Sequence, residues 1–317
     1  MILGRDRQQN KSPEVLPRVA GGDGFEQLHQ DLAAIAAMLS GEKGEAVVQL
    51  LQDVRWELQQ QRKNEELYRH FITRTVLREV ESFTESCQLG FRETVQRLVD
   101  TETSFTRFGD GEFRMMLRPD YRLKFQANSS ELRAALRHTL SLTDRSDLLI
   151  GFPRLYRDFH WSGVWLDIWL SLEPLLARDY RYGNSHVSRP IFFQMLGEEG
   201  VDLWRRVWQG RELCVVTGKG SRFDLIPELY SGVRSTRYVL STPTNAFDDL
   251  DRVVDAAGDP VAGEIVLVSL GPAGTALTAM LAERGHRTLD IGHISDSYRN
   301  VFQGGGWPEH LSVTKKT

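Results

Sequence analysis

The sequence predicts an α/β fold, a doubly wound and mainly parallel sheet with an N-terminal helical extension, on three observations. From about Thr84 onward, short β-rich runs alternate with helical stretches, the pattern of parallel βαβ crossovers. Runs such as Ile265-Val266-Leu267-Val268 are apolar without alternation, as strands covered on both faces must be. Before Thr84 the pattern is helical only, with apolar residues three and four apart.

Residues 1–24 mix Gln, Asn, Pro, Gly and charges and end in Gly21-Gly22-Asp23-Gly24. Such a segment buries little apolar surface and is predicted to be disordered. Residues 25–83 form the helical extension. Leu28, Leu32, Ile35 and Leu39 mark one apolar face, and after a Gly41–Gly44 break Val47, Leu51, Val54 and Leu58 mark another. A charged block, Arg62 to Glu66, separates these from Leu67, Phe71 and Val76. The pattern fits a helical hairpin packed on the main domain, or a short coiled-coil arm through which the chain forms a homo-oligomer. Residues 84–317 form the α/β domain. Its expected strands are Ser104–Phe108, Leu148–Gly151, Glu212–Thr217, Thr236–Leu240, Glu264–Leu270 and Arg287–Ile291. Expected helices are Arg92–Val99, Phe223–Tyr230, Ala246–Ala257 and Ala273–Arg284.

The 317 residues suffice for one large domain with an appendage. A net charge of -4 gives no global basic field, so no nucleic-acid partner is expected. Cys87 and Cys214 lie far apart with no nearby His cluster, which indicates neither a disulfide framework nor a zinc site. The polar stretch Gly4–Ser12 is unlike a secretory signal, and no apolar run reaches the ~20 residues of a membrane helix. A cytoplasmic location is expected.

Ligands of open parallel sheets bind at the carboxyl ends of the strands, so the strand-to-helix turns are the places to search. In Arg107-Phe108-Gly109-Asp110-Gly111-Glu112, two carboxylates in one Gly-flanked turn suit a hard divalent cation bridging diphosphate oxygens. The same residues also suit a polar turn in which Asp110 caps a helix. Gly218-Lys219-Gly220-Ser221-Arg222 lets backbone N–H groups approach a phosphate, or is a tight turn with exposed basic residues. Gly271-Pro272-Ala273-Gly274 brings a helix start close to a ligand or to a neighbouring strand. His293, at the end of the last strand, suits a base, a metal ligand or a phosphate donor, or a structural role. His186 and Arg189 within Asn184–Pro190, and the Asn245-Ala246-Phe247 turn, are further polar candidates. The tryptophans of Trp161–Trp169 suit core packing or an acceptor-side wall.

Ser104-Phe105-Thr106-Arg107-Phe108-Gly109-Asp110-Gly111-Glu112 resembles the S-x-S-R-F-G-D-G-E signature of the GT-D glycosyltransferases, a family first described as a domain of unknown function. The similarity continues through Leu149–Pro153, Ser188–Pro190, Trp208–Arg211, Gly220–Arg222, Asn245–Asp248, Ser269–Pro272 and Asp290–Ile294, about residues 85–300 in all. The resemblance implies a Rossmann-like glycosyltransferase that uses a UDP-sugar and a divalent cation, manganese or magnesium. On it, Asp110 and Glu112 hold the metal. Arg107, Gly109, Gly218, Gly220, Ser221, Arg222, Asn245, Gly271 and Pro272 surround the donor. The implied reaction moves a hexose, glucose by expectation, to a hydroxyl of a glycan or glycoprotein acceptor, in bacterial glycoprotein or surface polysaccharide biosynthesis. The chain departs from the pattern after Gly292-His293-Ile294, where Ser295-Asp296-Ser297-Tyr298 replaces a more acidic stretch, and at Thr217, where a Glu is usual. His293 or Asp296 is then the expected base. A non-catalytic nucleotide-sugar binder acting through its helical arm is the alternative. A NAD-dependent oxidoreductase is disfavoured, because no Gly-x-Gly-x-x-Gly opens the fold.

Overall fold

The structure, a computed structural model, describes residues 30–31, 33–35, 41–154, 156 and 159–312. The segment expected to be disordered lies outside them, as do Leu28, Leu32 and Leu39. The chain divides into two compact units, 1–72 and 73–317. Helix α1, Glu42–Cys87, runs through this division and also contains the expected boundary at 83/84. It begins after Gly41, whose φ of +87° ends any preceding helix. The charged block does not interrupt it. Arg, Lys and Glu are good helix formers, and Gln61 donates to Glu65 one turn on. Within the first unit α1 leaves Leu50, Val54, Leu58, Leu67 and Phe71 exposed.

In the second unit, Val76, Val80, Phe83 and Cys87 repeat at a 4-3-4 spacing and are buried with Phe152, Trp165, Trp169 and Tyr182. The chain then continues through α2 (Phe91–Asp100), β1 (Ser104–Arg107), α3 (Asp110–Leu117), α4 (Ser130–Ser141) and β2 (Leu148–Phe152). Next come α5 (Phe159–Leu172), β3 (Gly183–Asn184), α6 (Pro190–Leu196), α7 (Glu198–Trp208) and β4 (Glu212–Gly218). The remainder is α8 (Pro227–Tyr230), β5 (Ser235–Ser241), α9 (Leu250–Ala257), β6 (Glu264–Ser269), α10 (Pro272–Glu283), β7 (Thr288–Asp290) and α11 (Ile294–Phe302).

The strands form one sheet in the order β3-β2-β1-β7-β6-β4-β5, and neighbouring strands run parallel throughout. The two-residue period of a strand sorts its side chains between two cores. Leu213, Val215, Ile265, Leu267, Phe105 and Leu149 join the helices of one face. Cys214, Val216, Val266 and Val268 face the other way, as do Leu148, Ile150 and Phe152. β5, at the edge, buries only alternate residues near its end.

Three expectations shift. The helix over Phe223–Tyr230 shrinks to α8, because Pro227 sets the first helical position and holds Ile226 extended (φ -75°, ψ 139°). The helix over Ala246–Ala257 splits into a 3-10 turn, Ala246–Asp249, and α9, after Asn245 adopts left-handed backbone (φ 51°, ψ 44°). β3 was not expected, since two residues carry no period.

Candidate active site

The carboxyl ends of the strands open on a cavity of about 760 Å³, within the roughly 300–1,000 Å³ of small-molecule sites. β2 and β3 extend the sheet to one side of β1, while β4, β5 and β6 build the other half beyond β7. The strand order therefore reverses between β1 and β7, where open α/β sheets bind ligands. The Arg107–Glu112 turn ends β1, and the Asp290–Asp296 segment ends β7.

Arg107 ties these ends together. Its Nε donates to the Asp290 carbonyl (2.8 Å) and Nη2 to Asp290 Oδ1 (2.9 Å), while Nη1 donates to Ser188 Oγ (2.8 Å) and the Ser185 carbonyl (3.1 Å). Gly292 lies so close that a Cβ there would meet Nη2 at 2.1 Å. Arg107, expected to hold phosphate or ribose, lines the cavity. With these protein acceptors on all three nitrogens, it is placed as a strut under the site.

The acid turn is different. Gly109 is the N-cap of α3, and its N–H donates to Glu112 Oε2 (2.8 Å), so the capping carboxylate is Glu112 rather than Asp110. Asp110 is half-buried and pairs with Arg114 one turn along (3.0 Å). Burial raises the Glu112 carboxyl, its cap hydrogen bonds oppose this, and the neighbouring charges of Asp290 and Asp110 raise it further. Three carboxylates thus crowd the β1/β7 crevice, of which Asp290 is held by the buried Arg107.

Basic groups line the same cavity. Arg222 Nε meets Asp296 Oδ2 at 3.0 Å and its Nη2 donates to the Pro308 carbonyl (2.7 Å), while Nη1 is buried with no partner among the described residues. Arg189 Nη1 donates to Glu309 (2.6 Å) and to Nδ1 of His293 (3.1 Å). An arginine can only donate, so Nδ1 of His293 accepts and the neutral ring carries its proton on Nε2. Burial and the charges of Arg189, Arg222 and Arg107 hold this histidine well below its ordinary pKa. His293 was expected as a base; it is placed instead to donate from Nε2. Asp296, the other expected base, is buried against Arg222 and Arg299, which places it to orient Arg222. Burial raises its carboxyl despite the two arginines.

The second turn is built for closeness. Lys219 N–H donates to the Ser241 carbonyl, Ser221 N–H to Gly218, and Gly220 has a φ of +72°. Gly218, Lys219, Ser221 and Arg222 reach the cavity; Gly220 shapes the turn behind them. In the third turn Gly271 lines the cavity (φ 56°, ψ -140°), whereas Pro272 is buried at the first position of α10. Asn245 does not line it. Its N–H donates to the Phe125 carbonyl and its Oδ1 accepts from Ala127, so it fastens the 125–127 segment that forms a wall. Sequence reasoning missed that wall (Tyr121, Leu123, Phe125) and the Trp307–Leu311 segment. Neither follows a strand, so the turn rule could not find them.

The chain matches the family model "Glycosyltransferase GT-D fold" over residues 105–306. It is 26% identical over 226 residues to Glycosyltransferase GlyD of Streptococcus pneumoniae, covering 68% of this chain and 28% of that protein. It is 28% identical over 244 residues to the probable glycosyl transferase Gly of Streptococcus gordonii, covering 71% and 34%. The chain thus spans about a third of the length of these curated relatives. A glycosyltransferase structure from Streptococcus sanguinis, of domain of unknown function 1792, superposes with a TM-score of 0.64 at 24% identity, covering 73% of this chain and 90% of that one. With a family match over more than half its length, on a parallel sheet whose switch-point crevice carries the acid and basic turns, the chain belongs to the glycosyltransferases of the GT-D fold.

Proposed function

We propose that this chain transfers a hexosyl group, glucosyl first among the candidates, from a UDP-sugar to a hydroxyl of a glycan or glycoprotein acceptor. A divalent cation, manganese or magnesium, is held at the diphosphate. The observation that carries this reading is the acid turn set across the β1/β7 crevice from a basic wall. Arg189 feels the charges of Asp110 and Glu112, and Lys219 and Arg222 line the same cavity.

The donor set suits a hard cation. Among the described residues no three His, Cys, Asp or Glu side chains gather into a ready metal site. Two protein carboxylates completed by substrate phosphate oxygens are, however, the usual way magnesium-type ions are held. Glu112, raised by burial and by Asp290 and Asp110, has the electrostatic deficit a cation would relieve. Once bound, the ion would offset charge on the departing diphosphate. The chain's own groups support the remaining work. The unpartnered Nη1 of Arg222 and the Nε2–H of His293 are donors for phosphate oxygens. Asp296 holds Arg222 in place, and Arg107 fixes the two strand ends relative to each other.

The reaction is assigned to bacterial glycoprotein or surface polysaccharide biosynthesis, in the cytoplasm. No described helix is long and apolar enough to cross a membrane. Homo-oligomer formation through residues 1–72 rests on the exposed Leu50, Val54, Leu58, Leu67 and Phe71 of α1. The test is a donor screen: UDP release from UDP-glucose and other UDP-hexoses, with manganese and candidate glycan acceptors. Acceptor-stimulated UDP release supports the transfer. UDP binding without release under any acceptor would leave a nucleotide-sugar binder.

A further inference from the structure

The cavity has two chemically different halves. Over β4, β5, β6 and β7 it is rich in charged and polar residues, with Lys219, Arg222, His293, Thr242 and Thr244. Over β2 and β3 it is aromatic. There the Trp161 ring lies 4.6 Å from His186 and 5.2 Å from His160, and Tyr156 lies 5.2 Å from His186. Trp165 and Trp169, one and two turns further along α5, are fully buried in the core. Trp161 is the α5 tryptophan presented to the cavity.

His186 sharpens the picture. It is 7% exposed, and its Nδ1 has no hydrogen-bond partner among the described residues. Burial and the charges of Arg189 and Arg107 push its pKa well down, so the ring is neutral. The nearby Arg189 is engaged by Glu309. This half therefore offers apolar ring faces and a neutral ring nitrogen in want of a partner, with no unopposed charge. That is a poor match for a diphosphate. It is also a poor match for uracil, whose edge asks for several amide-like partners. It matches a pyranose ring, whose C–H face packs on an aromatic plane while its hydroxyls seek single hydrogen bonds.

We propose, on the reading that the donor diphosphate lies at the Asp110–Glu112 turn, that the aromatic half is the acceptor subsite: a neutral hexopyranose stacks on Trp161 and hydrogen-bonds His186. The sheet order supports this placement. β1, which carries the acid turn, stands between the basic half and the aromatic half, so a donor and an acceptor bound there would meet over that turn.

The test uses the full chain labelled with 5-fluorotryptophan, with the Trp161 resonance assigned through Trp161→Phe. The probes are methyl β-glucopyranoside, methyl β-galactopyranoside and methyl N-acetyl-β-glucosaminide, each with and without UDP and magnesium. At least one glycoside is expected to shift the Trp161 resonance saturably, with UDP changing its affinity by less than about twofold. By ligand-observed saturation transfer, Trp161→Ala should weaken that glycoside about tenfold and Trp161→Phe about threefold or less, the loss of one stacked ring. UDP affinity, read by calorimetry, should be unchanged in both variants. Trp161→Phe retains a ring and guards against a folding artefact, as do the other six fluorotryptophan signals of the labelled chain. A panel in which no glycoside moves Trp161, or a Trp161→Ala variant that loses UDP affinity, overturns the assignment, the second pointing to uracil. If UDP fails to bind the wild type, the donor reading falls, while the glycoside shifts still decide what Trp161 holds.

Discussion

Two carboxylate-bearing structures meet at the β1/β7 crevice, and they are built on opposite principles. In the first, Arg107 donates a charge-assisted hydrogen bond to Asp290 Oδ1, and Gly292 N–H donates another to the same oxygen. Each nitrogen of Arg107 and Oδ1 of Asp290 is answered from within the protein. In the second, Asp110 and Glu112 share a turn, Glu112 is raised by burial and like charge, and the half-buried i,i+4 pair with Arg114 offsets Asp110. The first structure holds itself together; the second, on the proposed reading, is completed by a cation and the donor diphosphate. A stability measurement should therefore single out the former, and a ligand measurement the latter.

The largest effect is expected at the strut. Arg107→Met leaves the buried Asp290 carboxylate without its counter-ion, and the loss should be about 3–5 kcal/mol in urea unfolding. Arg107→Lys should recover little, because one ammonium cannot span Asp290, Ser185 and Ser188 together. A loss under about 1 kcal/mol would place Arg107 with the ligand-facing groups. Arg222 belongs to the other side of the comparison. Its unpartnered Nη1 predicts that Arg222→Ala weakens UDP by about 1.5–3 kcal/mol in calorimetry, with unchanged affinity showing the turn to be structural only.

Much of this division was legible in the sequence, and the part that was not has physical reasons. The strand-helix alternation, the apolar run of β6 and the Gly-flanked turns at the ends of β1, β4 and β6 all follow from local pattern. Whether a polar residue at such a turn faces ligand or protein does not. Arg107 and Arg222 read alike in the sequence, yet residues 290, 185 and 188, far along the chain, consume one and leave a nitrogen of the other unanswered. Asn245 read as a site residue because it begins a turn after β5, but its partner is the 125–127 wall. The capping role passed from Asp110 to Glu112, since α3 begins at Asp110 itself with Gly109 as its N-cap. The helical extension showed its period, but not that Val76, Val80 and Phe83 serve the second unit's core while Leu67 and Phe71 stay exposed.

A smaller effect separates charge from capping at Glu112. Glu112→Gln keeps an acceptor for the Gly109 N–H and removes one of three like charges. Without metal or nucleotide it should stabilise the protein at neutral pH by about 0.5–2 kcal/mol while lowering turnover. Destabilisation would mean that the charge itself serves the cap. Smaller again is the effect of pH. His186 and His293 are held well below their ordinary pKa, so the folded state keeps them neutral where the unfolded chain takes up protons. Stability is therefore full above the unfolded value of about 6.5 and is lost as pH falls through it, about 1 kcal/mol per histidine between pH 7 and 5.5. Replacing His293 with Gln should remove one such share from the slope in urea titrations across that range; an unaltered slope would mean that His293 is charged in the fold.

The central claim is that the acid turn is completed by a divalent ion and a diphosphate, and calorimetry of UDP on the wild type and on Asp110→Asn, each with manganese and with EDTA, tests it most directly. The substitution alters little volume and weakens one half-buried pair of Arg114, which keeps Asp167, so unfolding stability should move by no more than about 1 kcal/mol. Manganese should tighten UDP binding to the wild type by about 10- to 100-fold over EDTA, and most of that gain should vanish in Asp110→Asn. Equal UDP affinity with manganese and with EDTA, or an Asp110→Asn variant that keeps the full manganese gain, would show that the turn is only the start of a helix.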